Sequence, residues 1–248
     1  EPPQAPAGFV VCLKTRGHPS RWTMKTVEMT GFDGLYPDDP EPEFVDVDKR
    51  DWAVVTMQEN NHLALVNLRT CKMVRDFSAG TVDLDQVDTE ENEKIEPDSQ
   101  LKDVPREPDA VTWVSQDPYL FATANEGDLN GGSRGFSIFN SQGKVMFDSG
   151  NEVEHITMSL GHYPEDRSEN KGSEPESIEF GVFGKDELLF VGAERASVVL
   201  VYDISSKRKP EYKQTLPTGL GPEGMIAIPK RDIFVVASEN DSRDDGFR

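Results

Sequence analysis

One phrase recurs four times along this chain: a proline, an acid, a short apolar run, a turn, a second apolar run and a closing glutamate. The copies open at Pro42-Glu43, Pro108-Asp109, Pro175-Glu176 and Pro222-Glu223, and they close at Glu59, Glu126, Glu194 and Glu239. The two acids of each copy are 16, 17, 18 and 16 residues apart. Repetition at a near-fixed period marks one supersecondary unit stacked several times, because such a unit cannot bury its apolar face alone.

The apolar runs are short and rich in β-branched and aromatic residues: 9–13, 44–47, 52–57, 63–68, 110–114, 120–124, 136–139, 188–191, 198–202, 225–228 and 233–237. Polar, turn-rich segments separate them, and most of the 17 prolines fall between runs. No long stretch has a helical period. The chain therefore reads as all-β. One repeat runs through 44–47, 52–57, 63–68 and 73–77, a four-stranded antiparallel meander, which is the blade of a β-propeller.

Antiparallel pairing puts the start of a blade's first strand and the end of its second at the same end of the hairpin. With the first strand innermost, Glu43, Glu59, Asp109, Glu126, Glu176, Glu194, Glu223 and Glu239 gather on one face near a central channel. Two readings stay open for them. They cap turns and latch neighbouring blades, or they form a negative mouth that holds a cation or a basic ligand.

Successive first acids are 66, 67 and 47 residues apart. The last spacing is near that of a bare blade, so the first two blades carry insertions, at 81–107 and 151–173. Residues 9–13 and 22–29 read as the last two strands of a blade, and the final copy holds only the first two. The expectation is a single propeller domain over 1–248, a section of a larger propeller of about seven blades.

The first insertion is strongly acidic. Within it, Asp88, Glu90, Asn92 and Glu96 place oxygen side chains at positions 1, 3, 5 and 9 of the front half of a calcium loop, where alternate residues turn inward around a hard cation. Position 6 is Glu93, where the tight turn favours glycine, and position 12 is Ser99. Calcium binding and a solvated acidic loop are the two readings. Ala124-Asn125-Glu126-Gly127-Asp128, followed by a glycine-rich turn, is a second acidic candidate, with Arg134 read as neutralising Glu126 or Asp128.

With 46 acidic against 26 basic residues, the formal net charge is −20. That excludes nucleic acid as the main partner, since counterion release needs clustered Lys and Arg, and it favours cations. No run is long enough for a membrane span. His18, His62, His155 and His162 are scattered and read as surface or turn residues, and no nucleophile motif is present. Cys12 and Cys71 can be a bridged pair or two thiols. Asn240-Asp241-Ser242 is a glycosylation sequon.

Glu41-Pro42-Glu43, Gln58-Glu59-Asn60-Asn61, Glu107-Pro108-Asp109-Ala110, Ala124-Asn125-Glu126-Gly127-Asp128, Phe147-Asp148-Ser149-Gly150, Glu174-Pro175-Glu176 and Gly221-Pro222-Glu223-Gly224 together resemble the choice-of-anchor I β-propeller family. That family includes proteins named mesenchyme-specific cell surface glycoproteins. The stretch from Val236 to Arg243 is similar to a subgroup in which the propeller precedes an esterase-like phytase domain. The resemblance implies a secreted or surface-attached propeller. The functional expectation is an extracellular, calcium-stabilised binding or structural module whose partners are proteins or glycans of a surface or matrix assembly. The alternative is a metal-dependent, phytase-like phosphoesterase.

Overall fold

The computed structural model describes residues 6–240. The second and third residues of the Asn240 sequon lie outside them. The chain runs through β1 (Phe9–Lys14), β2 (Thr23–Glu28), β3 (Pro42–Val47), β4 (Trp52–Met57), β5 (His62–Asn67) and β6 (Lys72–Ser78). The hairpin β7 (Thr81–Val87) and β8 (Ser99–Pro105) follows, then β9 (Pro108–Gln116), β10 (Tyr119–Asn125), β11 (Gly135–Asn140) and β12 (Val145–Asp148). Helix α1 (Glu152–Leu160) precedes β13 (Pro175–Phe183), β14 (Asp186–Ala193), β15 (Val198–Asp203), β16 (Glu211–Pro217), β17 (Leu220–Ile228) and β18 (Ile233–Asn240).

These strands form three antiparallel sheets of four, β3 to β6, β9 to β12 and β13 to β16, each in chain order. Two-stranded sheets, β1–β2 and β17–β18, flank them, and β7–β8 forms a separate pair. First strands pack on one another in succession, β3 on β9, β9 on β13 and β13 on β17. They are the inner strands of radially arranged blades.

The apolar residues lie where this arrangement needs them, between the faces of adjacent blades. Val27 and Met29 meet Ala53, Val55 and Met57 in one core. Val54, Leu63 and Leu65 meet Val111, Trp113, Phe121 and Phe139 in the next. The largest core joins the second and third full blades through Phe136, Ile138, Leu189, Leu200 and Tyr202. At the far end Phe190 stacks on Phe234 with ring centroids 3.9 Å apart. Each four-stranded blade is thus stabilised by its neighbours on both faces. Cys12 and Cys71 share the first of these cores as free thiols. Burial, and then the adjacent Cys71 thiol, push Cys12 up to about 11.

The structure adds elements that periodicity did not single out. The outer strand β16 is polar along most of its length and largely exposed, so it carries no apolar run. In β13 the apolar residues are interrupted by Glu176 and Glu179, both partly buried. The second insertion is not a loop but contains α1, which buries Val153, Glu154 and Thr157 and ends at Gly161 in the left-handed conformation, φ 73°.

The two insertions brace each other. The side chain of Asn151 donates to the carbonyls of Asp85 and Gln86, and that of His155 also meets the Gln86 carbonyl. The backbone N–H of Asn92 donates to Glu165 at 2.6 Å. At the junction Arg134 is wholly buried and donates to the carbonyls of Gly131, Asp88 and Ser168 at 2.9, 2.9 and 2.6 Å. It also faces the fully buried Glu154 at 3.4 Å. This corrects the expectation that Arg134 neutralises Glu126 or Asp128. His62 is corrected as well: it is buried rather than a surface residue, with its Nε2 3.0 Å from Asp76.

Removing one member of a buried ion pair leaves the other charge without compensation. Arg134→Met is expected to lower unfolding stability by about 3–5 kcal/mol, and Glu154→Gln by less, because an amide can keep the Ser173 N–H bond (2.8 Å). Urea unfolding monitored by circular dichroism checks both values and their order.

Candidate functional site

Each copy of the repeated phrase coincides with a β-bulge. The register passes from Pro42↔Met57 to Val45↔Val55, from Pro108↔Asn125 to Val111↔Thr123, from Pro175↔Ala193 to Ser177↔Gly192 and from Pro222↔Ser238 to Gly224↔Ala237. In every case the inner strand carries one residue more than its partner. Proline has no N–H for the ladder, and the bulge beside it frees the following acid from regular alternation and re-aims it. Glu176 and Glu223 have no partner residue across the strand pair at all.

The bulges bring three acids from two blades together. Ligand oxygens of Asp109, Glu126 and Glu176 lie within 4.8 Å of one another. Asp109 and Glu176 also line a cavity of about 250 Å³ with Phe44, Ser177, Glu223 and Gly224, contributed by all four inner strands. Glu176 Oε2 and Ser177 Oγ are buried and have no hydrogen-bond partner.

The other acids of the phrase are placed differently. Glu43 is solvent-exposed as a residue, but its carboxyl end reaches Asp109 and is hydrogen-bonded to it. Glu194 is buried beside Arg195 at 3.2 Å, and its N–H donates to the Glu174 carbonyl. Glu59, Glu223 and Glu239 are exposed.

Sequence reasoning missed the cation of this site. Lys171, in the second insertion, donates to Glu126 Oε1 at 2.7 Å and lies 3.2 Å from Asp128 and 3.7 Å from Glu174. Gln58 Nε2 donates to the other oxygen of Glu126. The acids that precede the prolines were missed too. Glu107 Oε2 accepts the N–H groups of Asp128 and Leu129 at 2.6 and 2.7 Å, and Glu174 Oε2 accepts from Arg167 and Arg195, each at 3.0 Å. These acids tie the start of an inner strand to the loops beside it, and the phrase Glu-Pro-acid was the signal available for them.

Burial and crowding of like charge push the central carboxyls upward. Glu176 rises to about 9, from burial first and then from Glu194, Asp109 and Glu126. Glu43 rises to about 8, from lost hydration of its carboxyl end and then from Asp109 and Glu126. Asp109 rises to about 7 from burial and Glu126. Glu126 is raised by burial, with Lys171 acting against the shift. For Lys171 burial opposes the charge, but the bond and attraction to Glu126 more than offset it and leave the ammonium firmly protonated. One ammonium therefore faces several carboxyls, and burial and crowding favour the protonated form of the others.

The acidic loop between β7 and β8 is a separate place. Asp88, Glu90, Asn92 and Glu96, with Thr89, Asp98 and Ser99, line a cavity of about 70 Å³. Asp88 is buried and organises the loop, its two oxygens accepting the N–H groups of Glu90 and Glu96 at 3.2 and 2.9 Å. The side-chain nitrogen of Asn92 lies 3.4 Å from Glu90 and 3.5 Å from Glu96. Glu93 adopts φ 64°, the left-handed turn that glycine takes without steric cost.

The sign of the pH response follows from the raised carboxyls. Below about pH 4 they are protonated in both folded and unfolded chains. Above that the unfolded chain releases protons that the folded one keeps, so stability falls as pH rises through about 7, 8 and 9. Melting in chelator should show a lower Tm at pH 9 than at pH 5, with a shallower fall for Glu176→Gln. Equal slopes for the two proteins would mean that Glu176 keeps no such proton.

The sequence matches the choice-of-anchor I domain over residues 18–131 and 129–207. No curated protein matches it. In three dimensions the chain is similar to a functionally unknown protein from Desulfotomaculum acetoxidans DSM 771, with a TM-score of 0.53 and 10% identity over 92% of this chain and 55% of that one. The WD40 domain of Toxoplasma gondii coronin matches with a TM-score of 0.45 and 11% identity, over 79% of this chain and 40% of that one. The chain thus spans about half the length of the solved proteins it resembles, and no helix among the described residues is long and apolar enough to cross a membrane.

Proposed function

Since the chain belongs to the choice-of-anchor I domain family, we propose that it is an extracellular, surface-associated β-propeller serving as a binding module in a cell-surface or matrix assembly, with calcium held on its acidic face. The family name denotes anchoring, which supports the surface role. Three four-stranded and two flanking two-stranded sheets, in a chain spanning 55% of its solved likeness, fit a propeller of about seven blades.

The observation that carries the cation reading is the convergence of Asp109, Glu126 and Glu176 within 4.8 Å. Calcium is a hard ion that takes 6–8 oxygen ligands. Asp109 and Glu176, and Glu43 beside them, would give up protons to it, while Lys171 keeps Glu126 oriented. The acidic loop at Asp88, Glu90, Asn92 and Glu96 is a second calcium seat, weakened by the left-handed backbone at Glu93.

Binding to the native state raises its stability with the logarithm of free ligand over Kd. Thermal unfolding with calcium and with chelator should therefore show a Tm rise in calcium that is larger at pH 8 than at pH 6. Loss of the larger part of that rise in Asp109→Asn with Glu176→Gln assigns it to the cluster. Loss in Asp88→Asn with Glu96→Gln assigns it to the loop, and Glu93→Gly should enlarge the loop contribution. No calcium-dependent rise in the wild-type protein would sink the calcium reading.

A further inference from the structure

The opposite end of the blades carries a site of different chemistry. Trp52 and Tyr119 open β4 and β10, while Glu59 and Glu126 follow the ends of the same strands. The two aromatics therefore sit at the far end of the blades from the acid cluster. Together with Trp113 they wall a cavity of about 320 Å³ between the first and second full blades, with Leu65 and Val74 on one side and Arg75, Ser141 and Gln142 supplying polar groups. Tyr119 lies 6.5 Å from the Trp52 ring and 5.9 Å from the Trp113 ring, both tilted rather than stacked face to face.

We propose that this pocket binds a pyranose unit of a glycan. A pyranose ring has an apolar C–H face, which suits an aromatic wall, and an edge of hydroxyls, which suits donors and acceptors on one side. The volume falls at the lower end of the range of about 300–1,000 Å³ for small-molecule pockets, and the mix of aromatic wall and few polar groups is typical of them.

Charge decides against the rival occupant of an aromatic cage, a quaternary ammonium group. Arg75 lines the cavity and, among the described residues, has no carboxylate within 4.0 Å. Arg50 already places its guanidinium 5.2 Å over the Tyr119 ring and donates to the Tyr119 hydroxyl at 3.2 Å. Two guanidinium groups repel a cationic guest but can donate to hydroxyls or to a sugar carboxylate. Gln142 Nε2 bonds Ser141 Oγ at 3.1 Å, so the two side chains present one joined polar edge.

This names one partner class for the binding-module reading and rests on that reading only for its biological setting, because the pocket shares no residue with the cation cluster. Two of the three tryptophans line it or wall it, which gives a direct optical readout. The test titrates the protein with the methyl glycosides of glucose, galactose, mannose, N-acetylglucosamine and glucuronic acid, and with their oligosaccharides, following tryptophan fluorescence and saturation-transfer NMR. At least one sugar should bind, with Kd raised tenfold or more by Trp52→Ala and severalfold by Arg75→Ala or Gln142→Ala. The exposed Arg75 and Gln142 variants keep the test decisive if Trp52→Ala does not fold. Glu176→Gln should leave sugar affinity unchanged, and Arg75→Ala should leave the calcium response unchanged, so failure of one reading is separable from failure of the other. No binding by any of the sugars, binding that survives all three pocket substitutions, or binding of tetramethylammonium in place of sugars would overturn the proposal.

Discussion

The inner strand of each blade begins where the antiparallel ladder cannot continue. Proline removes a backbone donor at Pro42, Pro108, Pro175 and Pro222, and the next acid falls in a bulge where the inner strand has one residue too many. Regular alternation would send acids on neighbouring strands to faces fixed by register. The bulge releases them from that rule and turns Asp109 and Glu176, on different blades, towards Glu126. The inner strands can then pack side by side along the rest of their length while their first residues gather charge. Architecture and site come from the same local irregularity.

Gathering carboxyls opposes folding unless something offsets the repulsion. The chain does this in two ways. Around the rim, Glu107 and Glu174 satisfy backbone N–H groups and arginines of adjacent segments, so those acids serve as latches. In the centre, Lys171 and Gln58 donate to Glu126, and the crowding of Glu43, Asp109, Glu176 and Glu194 favours their protonated forms. The acids before the prolines thus brace the loops beside them, while Asp109, Glu126 and Glu176 converge as a charged group.

The blades were legible because the second and third strands of each full blade pack against neighbouring sheets, and burial there demands the β-branched and aromatic residues that pattern reading detects. β4, β10 and β15 follow the apolar runs closely for this reason. Outer strands such as β16 bury little and carry no such pattern, while in β13 Glu176 and Glu179 interrupt it. Helix α1 spans only nine residues, too short for its period to stand out, and its Gly161 terminator lay in a segment rich in other turn formers. The acids of the central site were legible from repetition. Lys171 was not, because it belongs to an insertion whose sequence does not follow the repeated phrase, and Arg134 was assigned by nearness in sequence when its partners also come from both insertions.

That origin of Lys171 bears on how the site is built. A cation supplied within the repeat would recur in every blade and neutralise each acid pair equally. Supplied from one insertion, braced by Arg134, Glu154 and the acidic loop, it neutralises Glu126 and leaves the acid pairs of the blades unequal. The insertion holds it firmly: Lys171 N–H donates to the Gly131 carbonyl at 3.0 Å, and Gly172 packs so closely on Glu154 that a side chain there would overlap the carboxylate. The fixed ammonium orients Glu126, and the neighbouring Asp109 and Glu176 are left with burial and mutual repulsion but no fixed positive group within salt-bridge distance among the described residues. In a repeat protein, it is this departure from repetition that sets one electrostatic centre apart from the other acid pairs.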